Sequence, residues 1–289
     1  MTTTRQPDFI ATAVHSARRF YLDLKPRKGA TLQLVCGGVE HCAPGYEINR
    51  TGFRFLCVEY VARGRGSLVL AGKTHELRAG VAFAYGPRVP HRITTDPLDP
   101  LVKYFADFSG RAGAKLFRDG PLRPGRAVQV ARPDEVLDIF DSLVRDGARE
   151  DDAAKKLCAV WLELLLMKIG TIALPAGAAG TPAFTTYSRC REFLESRALE
   201  LHSTRELAKA CHLDEAYLCR LFTRFAGVTP YQVLQRLKMK HAAGLLQAPG
   251  AMVKKVASDV SFADPYHFSR AFKRVYGMSP AAFAQAGRR

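Results

Sequence analysis

The feature that most constrains this chain is a repetition near its C-terminal end, where one pattern is written twice. Ala208, Leu218, Arg220, Phe222, Arg224, Gly227, Thr229 and Pro230 are matched by Ala257, Phe268, Arg270, Phe272, Arg274, Gly277, Ser279 and Pro280. The offset is 49 residues at the alanines and 50 from Leu218 onward, so the second copy carries one extra residue in its turn. A register kept over eight positions marks an internal repeat, and two copies are too few for a solenoid. Each copy reads as a short helix, a turn and a second helix. Asp214 and Asp264 stand where N-caps belong, and Pro265 suits a first turn. Leu218, Leu221, Phe222 and Phe225 make one apolar stripe, as do Phe268, Ala271, Phe272 and Val275. Tyr231 to Leu246, preceded by Thr229 as cap and Pro230 as first residue, predicts one long helix between the copies.

The faces opposite those stripes carry Ala216, Cys219, Arg220 and Thr223 in one copy and Tyr266, Ser269, Arg270 and Lys273 in the other. Small, hydroxyl, aromatic and arginine side chains suit a helix entering the major groove of DNA, where Arg binds guanine bidentately and short groups meet thymine methyls. Arg220 and Arg270 could instead solvate an exposed face or pair with Glu215 and Asp264. Their recurrence at one place in two units favours base reading. Arg224, Lys254, Lys255, Lys273 and Arg274 flank them as phosphate contacts, which position a protein without reading sequence. Held by one rigid helix, the two units should reach successive major grooves, about 34 Å apart. Charge agrees: residues 183–289 hold 17 basic against 8 acidic residues, and the longer remainder 26 against 19. That excess is the usual footprint of a surface meeting phosphate, although general solubility would also explain it.

The front of the chain reads differently. Residues 1–30 are expected to be an N-terminal arm, with a short amphipathic piece from Ile10 to Leu24. From residue 31 to 110 short runs rich in aromatic and β-branched residues (Leu32 to Val35, Phe53 to Val61, Ser67 to Leu70, Lys103 to Phe108) alternate with glycine-bearing turns, the pattern of a barrel or sandwich. Over residues 131–170 the period becomes helical. Pro133 and the acidic pair after it open one helix, with Val136, Ile139, Phe140, Leu143 and Val144 on a face. A second, about 152 to 169, carries Leu157, Val160, Trp161, Leu164, Leu165 and Lys168. That stripe packs on the barrel or meets a second subunit. Residues 175–182 (PAGAAGTP) make a small-residue linker. The expected chain is thus α+β in two domains, a sensing and dimerising domain at 31–174 and an all-α domain at 183–289. Seven cysteines without disulfide-like spacing and a polar start without an apolar leader region point to reduced thiols in a cytoplasmic protein off the membrane.

Two stretches carry a family resemblance. Phe262 to Arg274 (FADPYHFSRAFKR), then Gly277-Met278-Ser279-Pro280, resembles the DNA-binding domain of AraC/XylS-type transcriptional regulators over residues 183–289. The resemblance implies base contacts from Ala216, Cys219, Arg220, Tyr266, His267 and Arg270. It departs at Ser261, where the family usually has Gly. Gly80 to His91, with Arg63 to Gly66 before it and Lys103 to Phe108 after it, is similar to a cupin-like barrel, the sensor of sugar-responsive members of the same family. By that likeness Arg50 in Ile48-Asn49-Arg50, the inward His91, and Lys103 and Phe105 on a later strand are the expected ligand contacts. A carbohydrate pocket needs such donors beside an aromatic face.

Enzymatic and metal-dependent readings have less to stand on. Catalytic cupins carry a His-x-His pair, whereas His41, His75 and His91 stand singly, and there is no CxxC, Gly-x-Ser-x-Gly or P-loop. The expectation is a non-enzymatic, cofactor-free and metal-free transcription regulator, an activator by family analogy. Its expected partners are double-stranded promoter DNA, a small-molecule effector such as a sugar, RNA polymerase by the same analogy, and a second copy in a homodimer. A metal or thiol sensor using Cys36, Cys42 and Cys57, and a cupin enzyme fused to a DNA-binding domain, remain as alternatives.

Overall fold

Strands dominate the first of two units, Met1–Ala176 and Gly177–Arg289, in the computed structural model of the chain. The structure describes residues 7, 10–27, 29–149, 151–175 and 177–286, so much of the front of the expected arm lies outside the described residues. Ten strands follow in order: β1 (Val14–Tyr21), β2 (Gln33–Cys42), β3 (Glu47–Arg50), β4 (Leu56–Arg63), β5 (Gly66–Leu70), β6 (Lys73–Leu77), β7 (Val81–Tyr85), β8 (His91–Thr95), β9 (Val102–Ser109) and, after helix α1 (Arg111–Asp119), β10 (Arg126–Gln129). They make a six-stranded sheet, β1-β2-β9-β4-β7-β10, and a four-stranded one, β3-β8-β5-β6. The paired strands are antiparallel.

The six-stranded sheet is covered on both faces. Tyr104, Ala106 and Phe108 of β9, Val58 and Tyr60 of β4, and Ala82 and Ala84 of β7 point one way. They pack against α2 (Pro133–Gly147) and α3 (Asp152–Ile172) through Val136, Phe140, Leu143, Leu165 and Ile169. Alternate residues, Phe105, Cys57, Val61, Phe83 and Tyr85, point the other way and meet Leu68, Leu70 and Ile93 of the smaller sheet. Successive side chains of a strand leave on opposite faces, so a sheet sandwiched on both must be apolar at nearly every position. That is why β4, β7 and β9 read as unbroken runs.

Four elements differ from the expectation. Residues 14–21, assigned to the arm, form β1 and pair along β2 from Tyr21–Cys36 to Val14–Cys42. Four of its eight residues are exposed, since it lies at the sheet edge, and this hides the strand pattern. Its anchor is Phe20, whose fully buried ring takes the space where a Cβ on Gly37 or Gly147 would approach within 2.8 or 2.5 Å. Helix α1 and β10 are too short to show a period. On α3, Cys158, Leu162, Leu165, Leu166 and Ile169 face the sheet, while Leu157, Val160 (63% exposed), Leu164 and Met167 (55%) form a separate outward stripe. The single stripe read from sequence is therefore two, on a helix apolar nearly all round.

The second unit is helical: α4 (Pro182–Ser196), α5 (Thr204–Ala210), α6 (Glu215–Ala226), α7 (Pro230–Leu246), α8 (Val253–Asp259), α9 (Pro265–Tyr276) and α10 (Pro280–Ala286). Thr181 caps α4, so that helix starts inside the expected linker. Thr229 and Gln232 form a reciprocal capping box at the start of α7. Helix α4 covers the first helix–turn–helix, Tyr187 meeting Phe222 with ring centres 5.1 Å apart, and α10 covers the second, Phe283 meeting Phe272 at 5.4 Å.

Replacing Phe20 by Ala should cost about 3–5 kcal/mol in denaturant unfolding. A loss below about 1 kcal/mol would mean that residues 14–21 are not held in the sheet.

Candidate nucleic-acid interface and ligand pocket

The two copies of the repeat share backbone as well as residue pattern. In each, a short helix (α5 or α8) turns into a longer one (α6 or α9) through one left-handed residue, His212 at φ 54° and Ser261 at φ 58°. These positions are 49 apart, so the turn conformation repeats with the sequence. Ser261, where the family usually has Gly, adopts the left-handed form at a cost of about 1–2 kcal/mol, and its hydroxyl donates to the Leu199 carbonyl. Asp214 accepts the Tyr217 N–H at the start of α6, and Asp264 accepts those of Tyr266 and His267 at the start of α9. Asp264 is thus used as a cap, and Glu215 accepts from the Thr204 hydroxyl.

The buried stripes turn the remaining faces outward. On α6, Ala216 and Arg220 are exposed and Cys219 half-buried; on α9, Tyr266 (80% exposed), His267 and Arg270 are exposed. Arg220 lies over the Tyr217 ring at 5.7 Å, which orients the guanidinium along the helix surface. Arg224, Lys254, Lys255, Lys273 and Arg274 are exposed on α6, α8 and α9. All the side chains expected to meet DNA therefore lie on the surface of the second unit.

The first unit holds a small polar pocket. Its lining includes Arg50, Lys103 and Phe105 together with Glu40, Tyr46, Phe53, Glu59, Tyr85 and Asp107, and the segment before β1 contributes Ile10 and Ala11. The space between them is about 20 Å³, room for a single water. Three of the four expected ligand contacts are thus brought together. The fourth, His91, is not among the lining side chains. Its ring stacks on Tyr85 with centres 3.8 Å apart, and its Nδ1 is 3.1 Å from the Val89 carbonyl.

Strand register explains the polar floor. On β9, Lys103 sits opposite Glu40 of β2, and Asp107 sits opposite Cys36 of β2 and Cys57 of β4. Directly opposed side chains in an antiparallel pair are in contact. The Lys103 ammonium lies 2.9 Å from both Glu40 Oε2 and Glu59 Oε2. Arg19 holds the other Glu40 oxygen at 2.9 Å and also donates to the Ala11 carbonyl. The Tyr85 hydroxyl donates to Glu59 and the Cys36 thiol to Asp107. Sequence reasoning missed Glu40, Glu59 and Asp107. The available signal was a lone carboxylate inside runs such as Val58-Glu59-Tyr60, where a doubly covered strand has no place for one unpaired.

Burial disfavours charge at Glu40 and at Asp107. For Glu40, Lys103 and Arg19 more than offset it, and its pKa lies below the ordinary value. Burial likewise opposes the Lys103 charge, but Glu40 and Glu59 hold its pKa well above the ordinary range. Asp107 has no such cation to itself. Burial lifts it from 3.8 to about 7, the thiol hydrogen bonds of Cys57 and Cys36 opposing and the Glu59 charge adding. The same burial raises Cys36 and Cys57 and takes Cys42 to about 12, which disfavours thiolate chemistry. Among the described residues no group of three or more His, Cys, Asp or Glu is placed to hold a metal ion.

A proton held more tightly when folded stabilises the fold fully below the unfolded pKa, 3.8. That stabilisation shrinks as pH rises and is gone above about 7. Wild type should therefore lose ~2–3 kcal/mol relative to Asp107→Asn between about pH 5 and pH 7 in thermal unfolding. Parallel curves for the two proteins would show that Asp107 is already ionised.

Comparisons agree with this division of labour. A helix-turn-helix domain family matches residues 207–286, and the AraC-like ligand binding domain family matches residues 36–165. The chain is similar to the Msm operon regulatory protein of Streptococcus mutans, 21% identical over 85% of this chain and 90% of that protein. It is 28% identical to the MmsAB operon regulatory protein of Pseudomonas aeruginosa over 78% of this chain and 74% of the relative. With the raffinose operon transcriptional regulatory protein RafR of Pediococcus pentosaceus it shares 24% identity over 86% of this chain and 92% of that one. No helix of the described residues is long and apolar enough to cross a membrane. With an AraC-like ligand-binding domain ahead of a tandem helix–turn–helix domain, the chain belongs to the AraC-type transcriptional regulators.

Proposed function

We propose that this regulator responds to a saccharide bound in the pocket of its first unit and reads promoter DNA with α6 and α9. The observation that carries the effector reading is the pocket itself, where Arg50 and a set of buried carboxylates meet the aromatic rings of Tyr46, Phe53 and Phe105. Hydrogen-bonding groups beside aromatic faces are what hydroxyls and sugar C–H groups require. A relative bearing the name of a raffinose operon regulator supports the same class. With room for about one water between its side chains, the pocket admits a saccharide only when those side chains move. A ligand that prefers the opened arrangement shifts the population toward it, which is how occupancy reaches the DNA-bound state.

Base contacts are assigned to Ala216, Cys219, Arg220, Tyr266, His267 and Arg270, and phosphate contacts to Arg224, Lys254, Lys255, Lys273 and Arg274. The protein acts as a sensor without enzymatic turnover or cofactor, in the cytoplasm with its promoter. We assign activation of transcription, through RNA polymerase, by analogy with the family. The outward stripe of α3, Leu157, Val160, Leu164 and Met167, is assigned to a homodimer contact. Apolar side chains at that spacing form a continuous ridge, and homodimers bury such self-complementary faces.

Three measurements test these assignments on the full chain. Arg270→Ala, against sites selected from a randomised DNA library, should lose ~1–3 kcal/mol at one base position and relax specificity there. An equal loss on all sequences would reassign Arg270 to phosphate. In thermal unfolding, a neutral saccharide at about 100 times its dissociation constant should stabilise the protein by ~2.7 kcal/mol. Arg50→Ala should remove that shift. Val160→Glu should convert a dimer to a monomer in sedimentation, and an unchanged dimer would place the contact elsewhere.

A further inference from the structure

The turn of the second helix–turn–helix carries a bond that the turn itself does not need. In the first copy, His212 donates its N–H to the Lys209 carbonyl, and Leu213 donates to that of Ala208. In the second, Ser261 donates to Ser258 and Phe262 to Ala257, so backbone closes both turns in the same way. The side chains then differ. His212 is exposed, whereas the Ser261 hydroxyl donates to the Leu199 carbonyl, 62 residues earlier. Leu199 lies in the stretch 197–203 that leads from α4 into α5 of the first pair, and its side chain packs against the core of the second. Glycine would take the left-handed conformation freely, so a serine at φ 58° is held there against a steric cost. Strain of that kind persists only where the surroundings fix it, and it clusters at functional positions.

Two further contacts carry the position of this turn outward. The Phe262 ring, next in the chain, has its centre 5.7 Å from the Lys238 ammonium of α7 and 5.3 Å from that of the His267 ring on α9. Lys238 is itself buried; burial disfavours its charge, and the Glu206 carboxylate on α5 of the first pair favours it. Contacts thus run from the entry segment of the first pair, through Ser261 and Phe262, to a side chain assigned to a base. From this chain of contacts we infer that Ser261 is a positioning residue. Its bond to Leu199 fixes α9 relative to α6, so that the protein selects DNA sites by the spacing between the two segments it reads. The inference rests on the base reading assigned above to α6 and α9 and adds a geometric constraint to it.

Binding of the full chain to a site selected from a randomised library tests it, with one base pair inserted or deleted between the two segments. Each such change turns one groove against the other by about 35° and moves it by about 3.4 Å. Wild type should lose about tenfold or more in affinity for either altered site. Ser261→Gly keeps the turn and removes the hydroxyl. It should bind the original site within about threefold of wild type and lose less than about threefold on the altered ones. A glycine variant with the wild-type penalty, or one weakened equally on every site, overturns the inference. So does a wild type that needs both segments yet is indifferent to their spacing. Ser261→Ala, which keeps the strain and lacks the hydroxyl, should relax the spacing as glycine does. An alanine variant as strict as wild type would trace the effect to the freedom of glycine and overturn the role of the hydroxyl. Scrambling each segment in turn separates these failures from that of the underlying reading. If either can be scrambled without loss, only one helix reads bases and both readings fall together.

Discussion

Coverage of the six-stranded sheet on both faces is the constraint from which the first unit follows. One face belongs to α2 and α3, the other to the smaller sheet, and both are packed with apolar side chains. Strands β4, β7 and β9 are therefore apolar at nearly every position. Any charge among them must find a partner across the register, because an isolated buried ion is far too costly. Glu40, Glu59 and Lys103 meet that demand mutually, with Arg19 of β1 closing the cluster. Such a cluster is a poor way to stabilise a core, since apolar side chains of similar volume often do as well. Its place against a cavity gives it another use.

The second unit obeys a different rule. Neither short helix of a helix–turn–helix pair can bury its own apolar side chains, so each pair borrows a companion. Helix α4 covers Phe222 and Phe225 of the first pair, and α10 with part of α7 covers Phe268 and Phe272 of the second. Once those stripes are buried, geometry leaves α6 and α9 one free face each, where Arg220 and Arg270 lie. Helix α7 belongs to the core of the second pair through Met239, Ala242 and Leu246, which makes it part of the packed unit as well as a connector.

Much of this was legible in the chain. The repeat, the caps Asp214, Asp264 and Thr229, and the inward stripe of α2 all follow from local rules acting over a few residues. What escaped reading was edge, brief or polar. Strand β1 has an alternation blurred by exposed Arg18 and Ser16, β10 is four residues long, and α1 is nine. The apolar stripe of α3 was visible, but which part of it met the sheet was not. A helix apolar nearly all round has no preferred face until its neighbours are in place. His91 reads as an inward residue and is one, yet its ring is taken up by Tyr85.

Local spacing by itself determined that two helix–turn–helix units exist, where each begins and ends, and which side chains they turn outward. Caps, stripes and turns act within four residues, so linear order is enough to express them. Only the tertiary structure decided the pocket. Glu40, Glu59, Lys103 and Asp107 come from three strands and up to 67 positions apart, and nothing in their local sequence pairs them. The register of β2, β9 and β4 brings them to one floor. Register is set by the packing of whole sheets against α2, α3 and each other.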